Sequence, residues 1–170
     1  PGIASLIDPH RVNVVMHPKS RGSAREWGLD NFSGLIALLP KDRFKIFITG
    51  TKTERELLQP LFGSHPHLVD LTGRLSLAEL MAFVARTDAL IAASTGPLHL
   101  AAALGIHALG IYPPIRPMHP GRWAPVGPGA AVFVKKEDCE ACRKTGDCTC
   151  MRDIAPRLLQ DYLDKLPAKK

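Results

Sequence analysis

The residues best suited by type and spacing to do chemistry are Ser94, Thr95 and Gly96, in the run Ser94-Thr95-Gly96-Pro97-Leu98-His99. An all-apolar stretch, Ala89 to Ala93, feeds directly into them, and a helix-forming stretch, Leu98 to Leu104, follows. A strand that runs through a small-residue turn into a helix leaves the first helical N–H groups unpaired and open to approach. The helix dipole adds roughly half a positive charge at that end. Together these accept an anion, phosphate above all, without any basic side chain. Gly96 allows a ligand close to the backbone, and Pro97 suits the first helical turn, where its missing N–H costs nothing. Plain helix capping by the Ser94 or Thr95 hydroxyl explains the same residues, and local physics leaves both readings open. His99, on the first turn, either faces the ligand or packs under the sheet.

Three further segments carry chemistry-bearing side chains. Pro18 to Trp27 holds Lys19, Ser20, Arg21, Ser23 and Arg25 after an apolar stretch. Such cations and hydroxyls suit phosphate, or form a solvated loop that Trp27 anchors to the core. Gly50-Thr51-Lys52-Thr53-Glu54 puts a carboxylate just inside a helix, either as a ribose-hydroxyl acceptor or as a favourable first-turn charge. Cys139, Cys142, Cys148 and Cys150 fall within twelve positions. Four thiolates at that spacing could close a tetrahedral structural zinc site, although common zinc ribbons are more widely spaced. Reduced thiols with local structural roles, or a disulfide, fit as well. A redox Cys-x-x-Cys is disfavoured, because no helix start is expected there.

These segments need elements to position them, and the chain supplies an alternation of strand-length apolar runs and helical periods. Strands are expected at Asn13–His17, Phe44–Thr49, Leu68–Leu71, Ala89–Ala93, Ala108–Tyr112 and Ala131–Val134. Between them lie a helix capped by Asp30 or Asn31 and stopped by Pro40, and one over Thr53–Phe62 capped by Thr53. Another is capped by Ser76 with Glu79, burying Leu77, Leu80, Met81 and Val84. A fourth runs from Leu98 to Leu104, closed by Gly105. Pro113 to Gly129 is expected to be an irregular functional loop or lid, offering Arg116, His119 and Arg122. A last helix is expected over 154–166. The pattern is an α/β fold: a Rossmann-like, doubly wound parallel sheet, which binds ligands at the carboxyl ends of its strands. One domain spans 1–170, divided into an α/β core (13–136), a cysteine-rich loop (137–151) and a C-terminal helix (152–168).

Composition sets the outer bounds. The chain has 170 residues and a net charge of +6, which favours anionic partners. No apolar run reaches the roughly 18 residues of a membrane span, and Pro1 to Val15 lacks the form of a secretory signal. With every cysteine in one loop, a disulfide-stapled secreted fold is disfavoured and a cytoplasmic protein is expected. The chain does not begin with Met, and further sequence is expected to precede it.

In this order the motifs resemble those of the bacterial glycosyltransferase family 9 enzymes, the lipopolysaccharide heptosyltransferases, in their C-terminal, donor-binding half. The resemblance covers nearly the whole chain: HPKS at His17–Ser20, RxW at Arg25–Trp27, ITGTKTERE at Ile48–Glu56, LTGRLSLAEL at Leu71–Leu80 and STGPLHLAAALG at Ser94–Gly105. The last is the most specific. Cysteines followed by a CM-x-x-I run, as at Cys150 to Ile154, are also similar to the family. The resemblance implies the C-terminal half of a GT-B glycosyltransferase, binding ADP-heptose or a similar nucleotide sugar and requiring no cofactor. It places Ser20 and Arg25 on the diphosphate, Arg25 standing where the family often has Lys. It places Glu54 on the ribose hydroxyls, Leu75 on the base, and the Thr95 and Gly96 N–H groups on phosphate with His99 close by. Ser94 stands where the family usually has an Asp that helps hold the sugar, so the donor sugar need not be heptose.

In that family the acceptor-binding half and its catalytic carboxylate precede this segment, so the partners implied are an N-terminal acceptor domain and a lipid-linked glycan, and the location extends to the inner membrane face. The chain alone is expected to bind nucleotide and turn over nothing. Two rival readings remain. A cysteine-based zinc module binding nucleic acid is disfavoured by the lack of interleaved aromatic and basic residues. Another Rossmann-type enzyme is disfavoured by the absence of GxGxxG or a P-loop after the first strand.

Overall fold

A computed structural model describes residues 2–135, 139–144 and 149–167. Its strands are β1 (Val12–His17), β2 (Phe44–Ile48), β3 (Val69–Asp70), β4 (Ala89–Ala93), β5 (His107–Tyr112) and β6 (Ala130–Val134). They form an all-parallel sheet in the order β3-β2-β1-β4-β5-β6. This is the Rossmann-like, doubly wound α/β arrangement expected. The strand order reverses between β1 and β4, and ligands bind such sheets in the crevice outside the carboxyl ends at that point.

The helices are α1 (Leu29–Leu38), α2 (Arg55–Ser64), α3 (Leu77–Val84), α4 (Gly96–Ala103), α5 (Pro120–Trp123), α6 (Glu140–Lys144) and α7 (Pro156–Leu163). Successive strand residues point to opposite faces, so each central strand feeds two cores. Val14, Met16, Ile46, Ile48, Ile91 and Leu109 face α1, α2 and α7. Val15, Phe47, Leu90, Ala92 and Ala108 face α3 and α4. Every residue of β4 is buried, as a strand covered on both sides must be. Gly110 lets α4 lie close: a β-carbon there would meet Leu98 Cδ2 at 2.9 Å and Tyr112 Cε2 at 2.5 Å.

Several expected details shift. Helix α1 is capped by Gly28 (φ 98°) rather than by Asp30 or Asn31. The left-handed glycine turns the chain sharply off the buried Trp27, which carries both polar residues into the helix. Asn31 instead donates from Nδ2 to the carbonyls of Trp27 and Arg152, at 3.0 and 2.8 Å. Thr51, not Thr53, opens the second helical segment, pairing with Glu54 in a capping box at a 3-10 turn. Ser76 and Glu79 form the expected box on α3, but Leu77 and Met81 point outward, 66% and 37% exposed, while Phe83 and Val84 are buried. Apolar residues occupy most of that helix, so their pattern does not fix its rotation. Pro113–Gly129 is not wholly irregular, since α5 lies within it. The cysteine loop contains α6 where no helix was expected, so Cys139 does precede a helix start. Helix α7 is shorter than the expected 154–166, beginning at Pro156, its N1 residue.

Candidate functional site

At the switch point, the loop after β1 faces the start of α4. The β1 loop is a tight turn: Ser23 donates from N and Oγ to the Ser20 carbonyl, at 3.0 and 2.7 Å. Arg21 and Gly22 take positive φ values of 52° and 79°. Ser20 is buried and donates from Oγ to the Ala24 carbonyl at 2.8 Å, and its N–H donates to Glu26 Oε1 at 2.9 Å. Lys19 pairs with the same carboxylate through Oε2. Trp27 fixes the loop's far end: it is 1% exposed and donates from Nε1 to the Ile154 carbonyl at 2.9 Å.

Between this loop and α4 lies a cavity of about 420 Å³. It is lined by Arg25, Ser94, Thr95, Gly96 and His99, together with Ser23, Ala24, Pro117, Met118 and Trp123. Five of the eight nucleotide-sugar residues expected from sequence therefore line one cavity. Ser20 does not line it; its contacts shape the turn that presents Arg25. Glu54 and Leu75 lie after β2 and β3, further along the same sheet edge.

Thr95 occupies the N-cap position of α4 but makes no side-chain cap bond. Its hydroxyl is buried with no hydrogen-bond partner among the described residues. Simple capping by Thr95, the competing explanation, is therefore not what the turn does. A buried polar atom without a partner is costly and calls for a ligand or water. Gly96 is exposed, and a β-carbon there would meet nothing within 4 Å. Backbone packing does not require a glycine at this point, so its value is open access to the helix start.

Glu54 repeats the theme. It is 5% exposed, and its Oε2 accepts from the Thr51 N–H and hydroxyl at 2.7 and 2.8 Å. Its Oε1 is buried without a partner among the described residues. One oxygen serves the capping box and the other is unpaired among the described residues. Gly73 (φ 66°) ties this loop to the next: a β-carbon there would lie 2.7 Å from Lys52 Cα. Leu75, just beyond, is partly buried against the α3–α4 core.

Burial pushes the His17 imidazole below its ordinary value, with the nearby Glu54 opposing the shift. Its Nδ1 lies 3.0 Å from Thr49 Oγ1. Tyr112, beside Ser94, is raised by burial, so its hydroxyl stays a donor, directed at the Trp123 carbonyl. Near the Asp70 carboxyl, burial is outweighed by the Thr72 hydroxyl and N–H and by the Arg55 guanidinium, which hold it low.

The Pro-rich segment after β5 contributes Pro117, Met118 and Trp123 to the lining of this cavity. A second cavity of about 360 Å³ is lined by Arg116, Pro117, His119, Gly121 and Arg122. Arg122 lies over the Trp123 ring, 5.4 Å from its centroid. Trp123 was missed as a site residue by sequence reasoning; its signal was a lone tryptophan in a loop at the carboxyl edge of the sheet. No carboxylate lines either cavity among the described residues.

Of the four cysteines, Cys139, Cys142 and Cys150 place their sulfurs within 4.8 Å of one another, and the group could hold a metal ion. Cys148 lies outside the described residues. Cys142 is in a disulfide, so metal binding through it requires reduction. No helix among the described residues is long and apolar enough to cross a membrane.

Fold and cavity together define a Rossmann-like domain with an open helix start lining a cavity at its switch point. The chain belongs to glycosyltransferase family 9 (heptosyltransferase), which matches residues 4–150. It is 31% identical to a "putative glycosyltransferase" of Haemophilus influenzae over 125 residues, 66% of this chain and 34% of that protein. It is 21% identical over 110 residues to the lipopolysaccharide core heptosyltransferase OpsX of the same organism, 63% of this chain and 32% of that protein. Its fold is similar to that of E. coli ADP-heptose lps heptosyltransferase II, with a TM-score of 0.77 and 18% identity over 95% of this chain and 50% of that one. E. coli heptosyltransferase WaaC with ADP gives 0.73 and 19%, over 96% and 47%. The chain thus spans about a third of the length of these curated relatives and half of the solved structures.

Proposed function

We propose that this chain is the donor-binding half of an inverting glycosyltransferase, holding an ADP-linked heptose or similar sugar for transfer to a lipopolysaccharide-type acceptor. The observation that carries the proposal is the buried, unpartnered Thr95 hydroxyl at the open start of α4, with Arg25 lining the same cavity. The diphosphate sits between Arg25 and the Thr95 and Gly96 N–H groups. The ribose hydroxyls reach Glu54 Oε1, two strands away in the sheet, roughly 10 Å at the usual interstrand spacing. Leu75, after β3, bounds the base. WaaC, whose fold this chain shares, was solved with ADP and with ADP-2-deoxy-2-fluoro heptose, which supports an adenine diphosphate here.

Transfer with inversion needs a base on the acceptor hydroxyl and charge stabilisation of the departing diphosphate. The chain supplies the second through Arg25 and the α4 start. The base and the lipid-linked acceptor belong to an N-terminal acceptor domain, and the assembled enzyme works at the inner membrane face. No cofactor is required for this chemistry. Calorimetric titration with ADP, UDP and GDP at fixed salt is the test. Selective ADP binding that is lost in Gly96→Val supports the proposal; indifference to all three nucleotides overturns it. Salt-sensitive nucleic-acid binding instead would favour the zinc-module alternative.

A further inference from the structure

The cysteine cluster is separate from both main cores. Cys142 and Cys150 are buried with Ile115, and Met118 and Cys139 pack against them. Ile115 and Met118 belong to the Pro-rich segment, and Met118 also lines the 420 Å³ cavity. From the other side, Arg25 donates from Nη2 to the Cys142 carbonyl at 3.3 Å. The cluster therefore touches both loops that enclose the cavity. The Cys142 N–H donates to Cys139 Sγ at 3.4 Å.

We propose that Cys139, Cys142 and Cys150, when reduced, form a three-thiolate site for zinc, and that the ion sets the position of Arg25 through the Cys142 carbonyl. Tetrahedral zinc with sulfur at about 2.3 Å brings its ligands to within about 3.8 Å of one another. The sulfurs, within 4.8 Å, need only a small inward movement. Site formation begins with reduction: a dithiol passes two electrons to the Cys142 disulfide, frees two thiols and leaves as its own disulfide. Zinc then displaces the thiol protons to solvent. The coupling to Arg25 rests on the nucleotide reading above; the metal site does not.

The test uses the 170-residue chain purified without a metal-binding tag and reduced anaerobically. Zinc is counted by mass spectrometry, and cobalt(II) is titrated in as a spectroscopic stand-in. One zinc per chain is expected, with sulfur-to-cobalt charge-transfer absorption lost in both Cys139→Ser and Cys150→Ser. Substoichiometric zinc, or a cobalt spectrum that survives both substitutions, overturns the site. ADP titration of zinc-loaded and zinc-free reduced protein then reads the coupling. About tenfold weaker ADP binding without zinc is expected, the size of one charge-assisted hydrogen bond, and Arg25→Ala abolishes that difference. Equal ADP affinity with and without zinc overturns the coupling. Absence of ADP binding in both forms, with zinc stoichiometric, overturns the nucleotide reading and leaves the metal site standing.

Discussion

At the scale of single residues, the candidate site holds two buried oxygens, of Thr95 and Glu54, without partners among the described residues. Thr95→Val removes a hydroxyl that has no partner among the described residues, so folding stability should hold or rise slightly while ADP binding weakens about 3- to 10-fold. Calorimetry and denaturation on the same preparation check both halves. Gly96→Val places methyl groups in open space; a near-native melting curve with ADP binding weakened at least about 100-fold is expected, because the branched side chain shields the helix-start N–H groups. His17 gives the pH prediction. Its folded value lies below the ordinary one near 6.5, so the unfolded chain takes up protons first as pH falls. Its stabilising contribution is complete above about pH 7 and is lost as pH drops from about 6.5 toward the depressed folded value. Urea unfolding at pH 7.5, 6 and 5 should show that loss, and His17→Gln should flatten it.

At the scale of elements, the helices are aimed by small features at their starts. Ser76 accepts from the Glu79 N–H, and the Glu79 carboxylate accepts from the Ser76 N–H at 2.8 Å. Ser76→Ala should cost about 1 kcal/mol, read as a lower urea midpoint with unchanged ADP affinity, since α3 does not line the cavity. Gly110→Ala should behave differently. Its methyl group would collide with Leu98 and Tyr112, costing about 1–3 kcal/mol by overpacking and pushing α4 outward. A lower midpoint together with weaker ADP binding is expected; an affinity equal to the parent's would show that α4 can absorb the methyl without moving its start.

At the scale of the whole molecule, the order β3-β2-β1-β4-β5-β6 puts three loops distant in sequence on one edge. The two cavities there carry arginines and histidines but no carboxylate among the described residues. The chain alone should therefore bind nucleotide and show no glycosyl transfer in a radiolabelled-sugar assay. Measurable turnover would mean that a base within this chain, with His99 the first to examine, does the work assigned to another domain.

The sequence by itself determined the strands, the doubly wound class and the motif around Gly96, because these follow from local periodicity and from residue types with few conformational uses. It also marked Glu54 and the cysteines as chemistry-bearing. It left the helix caps at Gly28 and Thr51, the rotation of α3 and the helix at Glu140–Lys144 unresolved, since each depends on which neighbour a polar or apolar group meets. Only the tertiary structure showed that the Thr95 hydroxyl does not cap α4, because a missing hydrogen bond is visible only once the surrounding described residues have positions. Only it put Trp123 and Gly96 on one cavity, gathered Cys139, Cys142 and Cys150, and joined Arg25 to the Cys142 carbonyl. The last of these, Arg25 to Cys142, joins residues 117 positions apart, a separation that no local pattern encodes.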